Sequence, residues 1–175
     1  IPFSHRLHAG ELGMDCRYCH FTVEKASHAA IPPAELCLNC HRTVKTDSPH
    51  IKKIAQSVID QEPIEWIKVH KLPDFSYFDH SIHLKSGVSC VSCHGRVDQM
   101  DQVKQVKPLS MSWCLECHRD PGPNLRPASE VTNLGWEPTS TELEFYGVGS
   151  KEELGQMLKE KHKIYPREDC NACHR

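Results

Sequence analysis

The chain has 175 residues and a mass of 19.9 kDa, room for one domain or two small ones. Its 21 Lys and Arg stand against 23 Asp and Glu, so no basic excess exists to meet the phosphates of a nucleic acid. Apolar residues make up 38% and aromatics 7%, a thin supply for a core, while 10 Cys and 13 His point to something other than aliphatic packing.

In chain order, Phe3-Ser4-His5-Arg6-Leu7-His8 comes first. It is followed by Cys16-Arg17-Tyr18-Cys19-His20 and by Cys37-Leu38-Asn39-Cys40-His41. Asp47-Ser48-Pro49 is a helix start with Pro in the first turn, and predicts a helix over 49–61 that stops before Pro63. An apolar stretch, Trp66-Ile67-Lys68-Val69-His70, leads into Phe78-Asp79-His80-Ser81-Ile82-His83. Then come Cys90-Val91-Ser92-Cys93-His94 and Cys114-Leu115-Glu116-Cys117-His118. Between these two, residues 96–107 alternate weakly and predict a hairpin. Residues 120–140 are rich in Pro, Gly and Asn and predict an extended surface connection. Ser150 and Glu153 form a capping-box pattern that opens a helix over 151–162. Cys170-Asn171-Ala172-Cys173-His174 closes the series.

All ten cysteines therefore fall in five copies of C-x-x-C-H, the attachment pattern of haem c. The spacing has a chemical reason. Two thiols three positions apart lie on one side of a helical turn, where both reach the vinyl groups of one porphyrin. The following His then points its imidazole at the iron. A disulfide framework or a zinc ribbon does not require a His after each second Cys, yet all five copies have one. The sequence predicts five haem c, one per 35 residues, with proximal ligands His20, His41, His94, His118 and His174. The macrocycles are then the core, the polypeptide is their wrapping, and folding is coupled to haem attachment.

An internal repeat organises the chain. F-x-H-x-x-H precedes both Cys16 and Cys90, and a second motif follows each, 21 and 24 residues on. Two di-haem modules, 1–72 and 73–126, are expected, with 127–175 as a connection and fifth-haem segment. The expected fold class is a multihaem cytochrome c of short α-helices and loops with c3/c7-like di-haem modules and little β.

Low-spin electron-transfer haems need a sixth ligand, His or Met. His5/His8 and His80/His83 are three apart, so each pair shares one helix face and can serve two neighbouring haems. His70 is the fifth expected distal ligand. Met111, Met100 and His162 are further candidates, with Met111 equally suited to packing on a porphyrin face. His28 and His50 are weaker. No altered motif marks an open iron, so the sequence favours a wire over a catalyst. Each oxidised haem adds about −1, taking the formal charge from −2 to about −7. Arg42, Arg96, Arg119, Arg126 and Arg175 are candidates to pair with propionates. The last motif, with one residue after it, is expected to be covered by a folded-back tail or a neighbouring subunit.

No run of 18 apolar residues is present to span a bilayer. Ile1 as first residue suggests a processed chain whose signal or anchor would precede it. Attachment of haem c places the expected site of action on the periplasmic or extracytoplasmic face.

The segments F-S-H-R-L-H-A-G-E-L-G-M-D-C-R-Y-C-H, I-P-P-A-E-L-C-L-N-C-H, V-H-K-L-P-D-F-S-Y-F-D-H-S-I-H, M-S-W-C-L-E-C-H-R and C-N-A-C-H-R resemble the pentahaem cytochrome c subunit, ActA, of bacterial alternative complex III. The resemblance runs along the whole chain. The hexahaem subunit of the quinone reductase complex of sulfate reducers looks related, but would want a sixth motif. The resemblance implies an electron-transfer subunit of a membrane quinol:acceptor oxidoreductase, not an enzyme on its own. It implies an iron–sulfur subunit, quinol-binding integral membrane subunits and a mono-haem cytochrome c as partners. It also implies an anchor helix lying before Ile1. The competing expectations are a periplasmic multihaem reductase with one open iron, and a free multihaem shuttle.

Overall fold

Short helices, five of which carry the cysteines of the C-x-x-C-H patterns, alternate with loops through the computed structural model, which describes residues 1–174. The helices are α1 (Cys16–Cys19), α2 (Ala34–His41), α3 (Pro49–Asp60), α4 (His80–Lys85), α5 (Cys90–His94), α6 (Met111–Arg119), α7 (Ser140–Tyr146), α8 (Lys151–His162) and α9 (Cys170–Cys173). Among the described residues, β structure is limited to two isolated bridges, Ser76 with His174 and Val88 with Leu125. This is the helix-and-loop architecture of a small multihaem cytochrome. No helix of the described residues is long and apolar enough to cross a membrane.

The caps explain why such short helices form. Four of the first N–H groups of any helix lack internal partners, so a helix of one or two turns depends on its cap. Asp15 accepts from the Arg17 amide at the start of α1, Asp79 from Ser81 at α4, Ser89 from Val91 at α5 and Ser110 from Trp113 at α6. Arg17 holds the Asp15 carboxyl down at about 2, so this cap is an anion at neutral pH.

The helix over 49–61 forms as Pro49–Asp60, with Gln61 turning left-handed before Pro63. The helix over 151–162 forms as Lys151–His162. The Ser150 hydroxyl accepts from the Glu153 amide, but the Glu153 carboxylate turns instead to the Gly149 N–H. The reciprocal capping box is at Thr139 and Glu142, opening α7. The hairpin expected at 96–107 is absent. Residues Val97–Gln99 make a 3₁₀ turn that packs against a π-helical turn, Arg6–Glu11. Gly10 permits that approach, since a Cβ there would overlap the Asp98 carbonyl oxygen.

Protein side chains also form an apolar core of their own. Val88, Leu125, Trp136, Leu154 and Leu158 form a buried apolar cluster of protein side chains. Leu154, 1% exposed, belongs to α8, which packs on the turn Gly122–Asn124. The connection 120–140 is thus no loose strap: Leu125, Arg126, Val131, Leu134 and Trp136 are all buried. The Arg126 guanidinium lies over the Trp136 ring at 5.2 Å and donates to the Asn133 carbonyl.

Candidate haem sites

Four of the five motif histidines face a second imidazole. Ring centres are 6.5 Å apart for His5 and His20, 6.2 Å for His8 and His41, 6.4 Å for His80 and His94, and 6.2 Å for His83 and His118. Two imidazoles that bind one metal ion from opposite sides, each with a nitrogen about 2 Å from it, have centres roughly 6 Å apart. The observed separations fit an axial pair about one iron. The two F-x-H-x-x-H repeats share the geometry. The first His of each pairs nearly parallel, at 2° and 7°, with the first motif that follows it. The second pairs twisted, at 59° and 42°, with the second motif.

The phenylalanine of each repeat sets this arrangement. Phe3 stands edge-on to His5 at 4.9 Å and lies against His8 at 4.4 Å. Phe78 does the same to His80 at 4.8 Å and to His83 at 4.4 Å. One ring thereby orients two imidazoles on a helical turn.

Backbone carbonyls fix the other side of the rings. Nδ1 meets the carbonyl of Ala30 at His20, of Val44 at His41, of Arg167 at His118 and of Phe75 at His174. Three of the expected distal rings follow suit, His8 to Ser4, His80 to Ser27 and His83 to Asp79, whereas the Nδ1 of His5 is buried without a partner. An Nδ1–H donated to a carbonyl leaves Nε2 as the free lone pair that a metal requires. Burial pushes His5 and His83 below the ordinary imidazole range and takes His94 down to about 4, with His70 and His80 adding to the effect. These rings are neutral, the state a ligand must be in.

His70 is placed differently. It stands edge-on to His94 at 4.4 Å, and its Nε2 is buried without a hydrogen-bond partner. His174 packs against Phe75, ring centres 5.7 Å apart. Met100 lies beside Gly95 and lines an open cleft of about 540 Å³ with Arg96, Lys104 and Lys107. Met111 is exposed at the start of α6, and His162 is exposed at the end of α8. His28 and His50 are exposed. Arg96 and Arg119 are tied to Asp98 and Glu168. Arg175 lies outside the described residues.

No two of the ten cysteines are joined in a disulfide. Among the described residues, no three His, Cys, Asp or Glu side chains converge to hold a bare metal ion. The thiol pairs thus suit attachment to a macrocycle better than a zinc knuckle. Burial raises the Cys93 thiol to about 11 and raises Cys19, Cys37 and Cys117. The Cys16 and Cys90 side chains lie close together, and that contact with burial pushes the Cys90 thiol well up.

Packing also sets the motifs in spatial order. Motifs one and two share the turn carrying His5 and His8, and Asn39 donates to the Tyr18 hydroxyl. Motifs one and three meet at Cys16 and Cys90, and residues Ser27 and Ala30 of one loop hold His80 and His20. Motifs three and four share α4, with Cys93 close to Cys114 and Cys117. Motif four meets motif five through His118 with the Arg167 carbonyl and Arg119 with Glu168. The motifs therefore run two–one–three–four–five in space.

No family model matches the chain. Over 95 residues it is 33% identical to the menaquinone reductase multihaem cytochrome c subunit of Nitratidesulfovibrio vulgaris. That match takes in 54% of this chain and 44% of the relative, so the chain spans less than half of the relative's length.

Proposed function

We propose that this protein is a pentahaem c-type cytochrome that carries electrons in single steps between partners of a membrane quinone oxidoreductase. The observation that carries the reading is the set of four imidazole pairs at axial spacing, each built on a C-x-x-C-H histidine. Covalently bound haem supplies reversible one-electron exchange at its iron, at low potential when both axial ligands are His. The chain's own residues do the rest. Ten thiols anchor the macrocycles. Nδ1–carbonyl hydrogen bonds hold seven of the rings in the ligating tautomer. Phe3 and Phe78 fix the paired distal rings.

His70 is the proposed fifth distal ligand. A ring nitrogen that is buried and unpartnered in the protein is in the condition expected when its partner is a metal. The two modules, 1–72 and 73–126, meet at their first motifs, and 127–174 ties the fifth motif to the fourth. The linear order gives a conductor with two ends rather than a cluster around one reactive centre.

The likeness to a menaquinone reductase subunit supports quinone-linked partners. We place the protein in an assembly of the alternative complex III type, on the extracytoplasmic face, taking quinol-derived electrons towards a mono-haem cytochrome or soluble acceptor. Quinol-binding integral membrane subunits and an iron–sulfur subunit complete that assembly.

Mass spectrometry of the mature protein tests the first step and should show five haem adducts. The bare polypeptide mass would overturn the reading. Low-temperature electron paramagnetic resonance should show low-spin signals alone. A high-spin, ligand-exchangeable haem would favour the reductase. Purification from membranes should bring the quinone-linked subunits with it. Elution as a lone soluble monomer would favour the shuttle.

A further inference from the structure

The two-ended order of motifs raises the question of what meets each end. Motif two is terminal, and the arginine beside it differs from the other described arginines. Most described arginines have a polar or carboxylate partner: Arg6 with Asp101, Arg17 with Asp15, Arg96 with Asp98, Arg119 with Glu168, Arg126 with the Asn133 carbonyl and Arg167 with Asp169. Arg42, directly after His41, is the exception among the described residues. Lys45, Lys52 and Lys53 follow it, and all four are exposed. Among the described residues none of the four has an ion pair. One carboxylate, Asp47, lies in the same segment, which leaves residues 42–53 at +3 in a chain whose total is −2.

This charge is held in place rather than merely strung along a loop. The α3 helix starts on Pro49, packs against α2 and buries Ile54. Lys52 and Lys53 therefore sit on the helix that packs against the one carrying Cys37, Cys40 and His41. The opposite end is balanced. Around motif five, Arg167 pairs with Asp169 and Glu168 with Arg119. Among the described residues, the arginines at the motif-five end are paired, whereas Arg42 at the motif-two end is not.

We infer that the surface formed by Arg42, Lys45, Lys52 and Lys53 docks an acidic electron-transfer protein, which exchanges electrons with the motif-two haem. The inference rests on the multihaem reading above and adds which end is used and by what kind of partner. Electrons cross between proteins only at close approach of cofactor edges, so a docking charge belongs beside a terminal site. An oppositely charged partner is drawn to such a patch and its association is accelerated 10- to 1,000-fold at low salt. An anionic membrane surface would also attract cations. The clustering of these four beside one terminal haem site favours a redox protein over a lipid surface.

The test uses the haem-loaded protein and a reduced plant-type [2Fe–2S] ferredoxin, an acidic one-electron donor, as probe. In each encounter the ferredoxin loses one electron and one ferric haem gains it. Haem content by pyridine haemochrome is read first. A protein without haem overturns the multihaem reading itself, and this inference with it. With haem in place, the second-order reduction rate should fall steeply with ionic strength. Lys52→Glu with Lys53→Glu should lower that rate about tenfold at low salt. The same charge change at Lys159 and Lys161 on α8 should leave it unchanged. Glu is tolerated in the first half of a helix, so the α3 variant should fold.

Equal losses in both double variants would mean that only net charge matters, and would overturn the docking surface. So would a rate indifferent to salt. A loss accompanied by a shifted haem potential would assign the lysines to the haem's own propionates. Phosphatidylglycerol vesicles that bind the wild type but not the α3 variant, with the ferredoxin rate unchanged, would assign the patch to a membrane.

Discussion

The imidazole of His5 lies 2° from parallel with that of His20, while the ring of His8, one turn further on, is twisted 59° from that of His41. The pairs His80 with His94 and His83 with His118 repeat the contrast at 7° and 42°. Axial ring orientation sets the splitting of the low-spin iron orbitals, so the oxidised protein should give two families of low-spin resonance. His80 and His5 belong to one family, His83 and His8 to the other. Replacing His5 by Met should raise the potential of one haem, since thioether ligation favours the reduced iron. A redox titration should then show one component moved upwards and the others in place. A titration unchanged in every component would remove His5 from the ligand set.

Phe78 supports two rings at once, edge-on to His80 and face-on to His83. Phe78→Ala should therefore disturb two low-spin signals together, one from each family, and leave those of the first module alone. The ring is half-buried, so the loss of stability should be no more than about 3 kcal/mol. Disturbance of a single signal would show that the ring orients one imidazole alone.

The repeat that places Phe3 and Phe78 is visible in the sequence as F-x-H-x-x-H, and so are the ten thiols and the motif histidines. Local spacing is enough for these, because each site is made within one helical turn. The partner of each ring is not local. Ala30 serves His20, Arg167 serves His118 and Phe75 serves His174 through carbonyl groups, which no side-chain pattern reveals. The same limit hid the meeting of Cys16 with Cys90, which depends on Val131 and Thr132 seating both motifs. Residues 96–107 show the opposite failure. Their weak alternation is real, but the neighbouring turn Arg6–Glu11 takes the Met100 carbonyl through the Arg6 amide, and no second strand is left to pair.

Gly155 is a helix-interior glycine whose role is contact. A Cβ there would overlap the Gly122 carbonyl oxygen, which belongs to backbone that cannot swing aside. Gly155→Ala should therefore destabilise by roughly 1–3 kcal/mol through overpacking, although Ala is otherwise the better helix former. The damage should appear as a lower melting temperature and as easier proteolysis of residues 120–174. Leu154→Ala, one position away and in the buried cluster, should cost about 2–5 kcal/mol by leaving a cavity. A stabilised Gly155→Ala variant would mean that α8 does not sit on the 122–124 turn.

The capping box of α7 gives the protein an acid-sensitive clamp on the connection. Glu142 accepts from the Thr139 amide at 2.8 Å, from its hydroxyl, and from the Trp136 indole. These hydrogen bonds, the amide's first, hold its carboxyl below the ordinary value of 4.5. A carboxyl lowered in the folded state stabilises fully above its unfolded value. That contribution is lost as pH falls below about 4.5 and through the lower folded value. The melting-temperature difference between wild type and Glu142→Gln should therefore be constant near neutrality and shrink below about pH 4.5. Thr139→Ala, which removes the hydroxyl cap, should cost about 1 kcal/mol at neutral pH. The carboxylate would keep the amide bond in that variant, so part of the acid sensitivity should survive. A difference that grows on acidification would reverse the sign and show that Glu142 stabilises the fold in its protonated form.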